Sequence, residues 1–90
     1  MPLRVLHVAE QEVEEAKDWY AARNPGLPSR LTDAFEESLN VIAAGPSSHA
    51  NHPRIADSAV RFVTLRSFPY IVLYRDDAAE TLVLAVVHVR

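Results

Sequence analysis

Ninety residues with nine Lys and Arg, twelve Asp and Glu and no cysteine bound one small domain over residues 1–90, with a single core. The absence of cysteine excludes a disulfide framework, thiolate metal sites and thiol nucleophiles. No segment approaches the roughly 20 apolar residues that span a bilayer, and Met1 to His7 lacks the apolar run of a signal peptide, so a cytoplasmic protein with no membrane partner is expected.

The net charge of −3 is unevenly placed: residues 1–37 balance to −4, whereas residues 54–75 balance to +3. Acidic helices beside a basic sheet edge imply one local anion-attracting face rather than a general nucleic-acid binder.

In chain order, Leu3 to Val8 alternates apolar and polar residues at its start and is partly β-branched, which predicts a first strand. Ala9, Val13, Ala16 and Tyr20 then recur at helical spacing, predicting a helix over 9–23. Four glutamates crowd its start, and Asn24-Pro25-Gly26 stops it. Trp19 lies off the main apolar stripe and reads as a packing flank. A second helix is expected from about Pro28 or Ser29 to Ala44, with Leu31, Ala34, Phe35, Leu39 and Ile42 as its stripe and Gly45-Pro46 as its end. The short link implies an antiparallel helix pair facing one sheet.

Residues 47–53 lack periodicity and form a loop. Strands follow at 60–66, 70–75 and 81–89, with a polar turn over 76–80. Short connections make them an antiparallel meander. Leu82 to Val87 is apolar at every position, which marks a strand inside the sheet, shielded on both faces by helices or by a partner. The fold class is therefore α+β, in the order β-α-α-β-β-β, with two helices on a mostly antiparallel sheet.

Several motifs spread over nearly the whole chain carry a resemblance. They are Glu12-x-x-x-Ala16-x-x-Trp19-Tyr20, Pro25-Gly26-Leu27, Phe35-x-x-x-Leu39, Ile42-x-x-x-Pro46, Val60-Arg61, Phe68-Pro69-Tyr70 with Tyr74, and Leu84-Ala85-Val86-x-His88-x-Arg90. In this order the chain resembles the RelE/ParE superfamily of toxins from type II toxin–antitoxin (plasmid stabilisation) systems. Phe68-Pro69-Tyr70 and Ala85-Val86-x-His88 look more like the ParE branch. The resemblance implies a toxin held inactive by a cognate antitoxin that wraps the sheet and helix pair. ParE-like members poison DNA gyrase and block replication, whereas RelE-like members cleave messenger RNA on the ribosome. Family members commonly continue past this His and Arg with a short Asp-Pro-containing tail; the sequence stops at Arg90, so any role of that tail is expected to be absent here or lost with a segment beyond Arg90.

RNA cleavage through the 2′-hydroxyl needs a base, an acid and cations for the phosphorane charge. The candidates are Arg61 and Arg66 for phosphate, Tyr70, Tyr74 and His88 for proton transfer, and Arg90 as a second cation. Arg61, Tyr70 and His88 are the central three. Each also has a plain structural reading. The tyrosines fit a half-buried pleated surface, His88 fits a hydrogen-bonded strand end, and Arg61 fits an ion pair with the acidic helices. Proline restricts Phe68 to extended geometry.

Ribosome-acting proteins draw most of their affinity from Lys and Arg, and this acidic chain has one lysine. The balance leans away from an enzyme and toward a gyrase-binding toxin. A messenger-RNA endoribonuclease that needs no metal is the first alternative, and a non-toxic, partner-binding relic of the fold is the second. His49-x-x-His52 lacks a third ligand, and no phosphate-cradling glycine loop is present, so no metal and no cofactor are expected. A chain of this size leaves apolar helix and sheet surface uncovered, which suits an antitoxin. Both a homodimer and a toxin–antitoxin hetero-oligomer stay open.

Overall fold

The computed structural model describes residues 3–89. The elements run β1 (Leu3–Val5), α1 (His7–Ala21), α2 (Leu27–Ala44), β2 (Val60–Thr64), β3 (Tyr70–Asp76) and β4 (Thr81–His88), the order expected from the sequence. The four strands form one mixed sheet in the order β1-β4-β3-β2. The pairs β2–β3 and β3–β4 are antiparallel, and β1 lies parallel to β4.

The first strand is shorter than the alternation predicts. The Leu6 N–H still donates to Val83 O, but the Leu6 carbonyl already accepts from Ala9 and Glu10. Helix α1 therefore starts at His7, with Leu6 as an N-cap that offers no side-chain bond. Ala9, Val13 and Ala16 are buried along α1, while Leu31, Ala34, Ser38 and Ile42 are buried along α2. Ser38 belongs to that stripe because its hydroxyl donates back to Phe35 O at 2.6 Å, which satisfies the buried group inside its own helix. Phe35 and Leu39 flank the core, half-buried. Tyr74, Leu31, Ile42, Val72 and Val83 are its largest fully buried side chains.

Strand β4 is interior to the sheet, as its apolar run predicts. Shielding by helices on both faces is not observed. The short link between α1 and α2 lays both helices on one face, α1 against β4 and α2 against β2. On the other face Leu82, Leu84 and Ala85 are only half-buried and Val87 is exposed. A second departure is a bulge. Tyr74 sits opposite Val83 and Leu73 opposite Ala85, so Leu84 has no partner across the ladder. The extra residue shifts the side-chain alternation. Thr81, Val83 and Val86 are buried on the helix side, and Leu84 does not share a face with Val86 and His88.

Two turns complete the sheet. The β2–β3 turn places Ser67 at φ 69°, a left-handed conformation that costs a non-glycine residue about 1 kcal/mol. The turn is closed by Leu65 N–H donating to Tyr70 O and Tyr70 N–H donating to Phe68 O. The β3–β4 turn is held by Asp77, whose carboxylate accepts from Ala79 N–H.

Candidate functional site

The cross-strand pair Tyr70 and His88, directly opposite one another on β3 and β4, stands at one end of the helix-covered face. Their rings meet edge to face at 5.1 Å between centroids. Tyr20 from α1 packs edge-on to Phe68 at 5.1 Å and to Tyr70 at 6.5 Å, and Trp19 continues the series at 4.9 Å from Tyr20. Trp19 is 52% exposed, so it packs along one edge only. Its open face carries the Arg23 guanidinium 3.3 Å from the ring centroid, and Arg23 also donates to Trp19 O. That stacking is a cation–π contact.

This aromatic row bounds two grooves that share Tyr20. One, of about 490 Å³, lies between α1 and β4 and is lined by Glu12, Glu15, Trp19, Tyr70, Val86 and His88, among others. The second, of about 410 Å³, lies between α2 and the β2–β3 turn, with Leu27, Arg30, Glu37, Arg66 and Phe68 in its walls. Arg66 is at this second groove, extended and ion-paired to Glu37 at 3.1 Å, a weak surface pair. Burial, and secondarily Tyr20, pushes the Tyr70 hydroxyl above its ordinary 10.0, so it stays protonated at neutral pH.

Arg61 and Tyr74 lie elsewhere. Arg61 faces Tyr74 across the β2–β3 ladder, four residues along β3 from Tyr70, which is about 13 Å at strand rise. Tyr74 is fully buried, and its hydroxyl donates to Pro46 O at 2.5 Å. Burial is the main cause that raises its hydroxyl above 10.0; Asp76 adds to the rise and Arg61 opposes it. Arg61 donates from Nη1 to His49 O at 2.6 Å, while its Nε is buried without a hydrogen-bond partner, 3.9 Å from Asp76. Both residues therefore fasten the 46–59 segment to the sheet. The segment is further held by Phe62 N–H donating to Ala50 O and by Asn51 Nδ2 donating to Ser58 O and Val60 O.

Five of the six candidate residues thus divide three ways. Tyr70 and His88 are together, Arg66 is one groove away, and Arg61 and Tyr74 are at the opposite end of the sheet. Arg90 lies outside the described residues. His49 and His52 diverge, His49 stacking on Tyr74 and His52 on Phe62, side chains of opposite sheet faces.

Glu12 enters the sequence reading as the first residue of the Glu12-x-x-x-Ala16-x-x-Trp19-Tyr20 motif and Glu15 as a helix-dipole residue; neither is a site candidate there. Their three-residue spacing puts both on one side of α1, beside Trp19, and that spacing was the signal available. Glu12 reaches the sheet directly, its Oε1 accepting the backbone N–H of Val86 at 2.8 Å. Strand β1 ends at Val5, opposite Val83, so beyond that point β4 has no strand neighbour on this side. The carboxylate satisfies a donor that the sheet leaves over.

Among the described residues no helix is long and apolar enough to cross a membrane. Against solved structures, the chain superposes over its full length on 97% of a chain from the "Chromosomal ParDE TA system from P. aeruginosa", with a TM-score of 0.81 and 19% identity. That likeness establishes the fold. Among curated proteins none matches. The family model described as "ParE toxin of type II toxin-antitoxin system, parDE" matches residues 3–90, virtually the whole chain. The chain belongs to the ParE toxin family of type II toxin–antitoxin systems.

Proposed function

We propose that this protein acts in the cytoplasm by binding DNA gyrase and blocking its supercoiling activity, with no catalytic turnover of its own, and that a cognate antitoxin neutralises it by covering the same surface. The observation that carries this reading is the separation of the polar residues on a ParE-family fold. An RNA-cleaving centre needs cations within reach of its acid and base. Here Tyr70 and His88 face two carboxylates, Glu12 and Glu15, and among the described residues no Lys or Arg lines their groove. Arg61 is about 13 Å away along the sheet and is occupied with His49 O. An acidic, aromatic-walled groove repels a phosphate backbone and suits a protein surface instead.

The surface offers rigid aromatic anchors, Trp19, Tyr20 and Tyr70, beside two grooves, the arrangement in which protein interfaces concentrate their affinity. Purified toxin added to a supercoiling assay with gyrase and relaxed plasmid is expected to inhibit it, and equimolar antitoxin is expected to restore it. Cleaved messenger RNA in induced cells, with supercoiling unaffected, would reverse the reading in favour of a nuclease.

A further inference from the structure

We propose that the groove between α1 and β4 is a binding site for a linear aliphatic polyamine, whose ammonium groups pair with Glu12 and Glu15 and whose methylenes lie against Trp19, Tyr20 and Tyr70. The inference goes beyond the toxin reading and does not depend on which protein the toxin inhibits.

The groove, of about 490 Å³, falls in the size range of small-ligand sites. Among the described residues Glu12 and Glu15 line it, and no Lys or Arg does. Neither glutamate forms an ion pair among the described residues, whereas Glu14, Glu37 and Glu80 each do. Glu12 is held in place through Oε1, which accepts Val86 N–H at 2.8 Å, and its second oxygen keeps its acceptor capacity for a ligand. Glu15 follows one turn on and is exposed. At three-residue spacing on a helix the Cβ atoms of the two stand about 5–6 Å apart, a distance that a chain of roughly four methylenes spans.

The aromatic walls supply the rest of the site. Trp19 and Tyr20 meet at 83° with centroids 4.9 Å apart, and Tyr20 and Tyr70 at 64° and 6.5 Å, so the rings form corners rather than a stack. Ring faces attract weakly hydrated organic cations. Trp19 already does so within this chain, with the Arg23 guanidinium 3.3 Å from its centroid. Ala16 and Val86 add apolar lining suited to methylenes. A metal ion fits poorly: among the described residues no three His, Asp or Glu stand close enough to hold one, and hard cations take oxygen ligands rather than aromatic faces. A single ammonium would leave one glutamate without a partner. The occupant is therefore a chain of ammonium groups separated by methylenes, of the putrescine and spermidine class.

Trp19 is the one tryptophan of the chain, so its fluorescence reads the site directly. The purified full chain, at about 0.15 M salt to screen general attraction, is titrated with spermidine, putrescine and butylamine, and calorimetry on the same samples decides where fluorescence is silent. Saturable one-site binding of spermidine is expected, with half-saturation below about 1 mM. Butylamine, with its single ammonium, should bind at least about tenfold more weakly than putrescine. Glu12→Gln, which keeps an acceptor for Val86 N–H, and Glu15→Gln should each weaken spermidine binding at least about fivefold. Glu14→Gln removes the same charge from the same helix outside this groove and should leave the affinity within about twofold.

No saturation by about 10 mM spermidine overturns the proposal. So does butylamine binding as tightly as putrescine, which would mean that one carboxylate suffices. Equal weakening by Glu14→Gln and Glu15→Gln assigns the effect to the acidic helix as a whole and overturns it too. Should Glu12→Gln fail to fold, Glu15→Gln, on an exposed side chain, decides.

Discussion

Replacing Tyr74 with phenylalanine removes one oxygen from the middle of the molecule and leaves the ring in place. The hydroxyl is the donor to Pro46 O at 2.5 Å, and the residue is fully buried, so phenylalanine leaves that carbonyl without its donor. Deleting one partner of a buried hydrogen bond costs about 1–2 kcal/mol, and in a domain of this size each kcal/mol moves the melting temperature by about 4–8 °C. Tyr74→Phe is therefore expected to melt about 5–15 °C lower by circular dichroism.

The loss should also be local. The Phe62 amide, which donates to Ala50 O, should exchange faster as the 46–59 segment loosens. The pH dependence supplies a second sign. The folded state holds the Tyr74 hydroxyl protonated above 10.0; the associated stability is complete below about pH 10 and is lost as pH rises through the higher folded value. The variant should therefore lose less stability than the parent above pH 10. A melting temperature within about 2 °C of the parent, with unchanged Phe62 exchange, would refute the claim that this hydroxyl anchors the loop.

The other side of the same clasp is testable through Arg61→Ala, which removes the donor to His49 O and should cost about 1–2 kcal/mol in urea unfolding; parent-like unfolding would show that the clasp is idle. Ser67→Gly relieves the left-handed turn residue and should leave stability unchanged or raise it by up to about 1 kcal/mol, whereas Ser67→Val should lower it. A stabilised valine variant would contradict that account. Asp57 is held below 3.8, first by the Ala59 N–H and then by Arg75. Its contribution is present above about pH 4 and disappears as pH falls through the lower folded value, so Asp57→Asn should unfold more easily at pH 7 and like the parent near pH 2. A constant difference across that range would rule out the charge of the carboxylate as its source.

Much of the fold was legible in the sequence because it depends on local patterns. The 3.6-residue recurrence of Ala9, Val13, Ala16 and Tyr20 marks α1, the Asn24-Pro25-Gly26 break ends it, and the unbroken apolar run 82–87 puts β4 inside the sheet. Register was not legible. Period-two alternation assigns faces, but nothing local reports the bulge at Leu84 or the pairing of Arg61 with Tyr74 rather than with Tyr70, because pairing offsets are set by turn geometry and tertiary packing. Tyr74 and Tyr70 look alike in sequence, and only the packing of the 46–59 segment buries one and leaves the other at a groove. The same limit hid the contact of Glu12 with β4. Its meaning depends on β1 stopping short of the end of β4, a mismatch visible only once the strands are paired.

The central claim, a gyrase-directed toxin rather than a nuclease, is tested most directly by a supercoiling assay on purified protein, with Tyr70→Ala and Trp19→Ala variants that fold as the parent does. Inhibition of supercoiling by the parent is expected, weakened about tenfold or more in the variants that lose an aromatic anchor, while messenger RNA in induced cells stays full-length. Undiminished supercoiling together with message cleavage that depends on Tyr70 and His88 would contradict it.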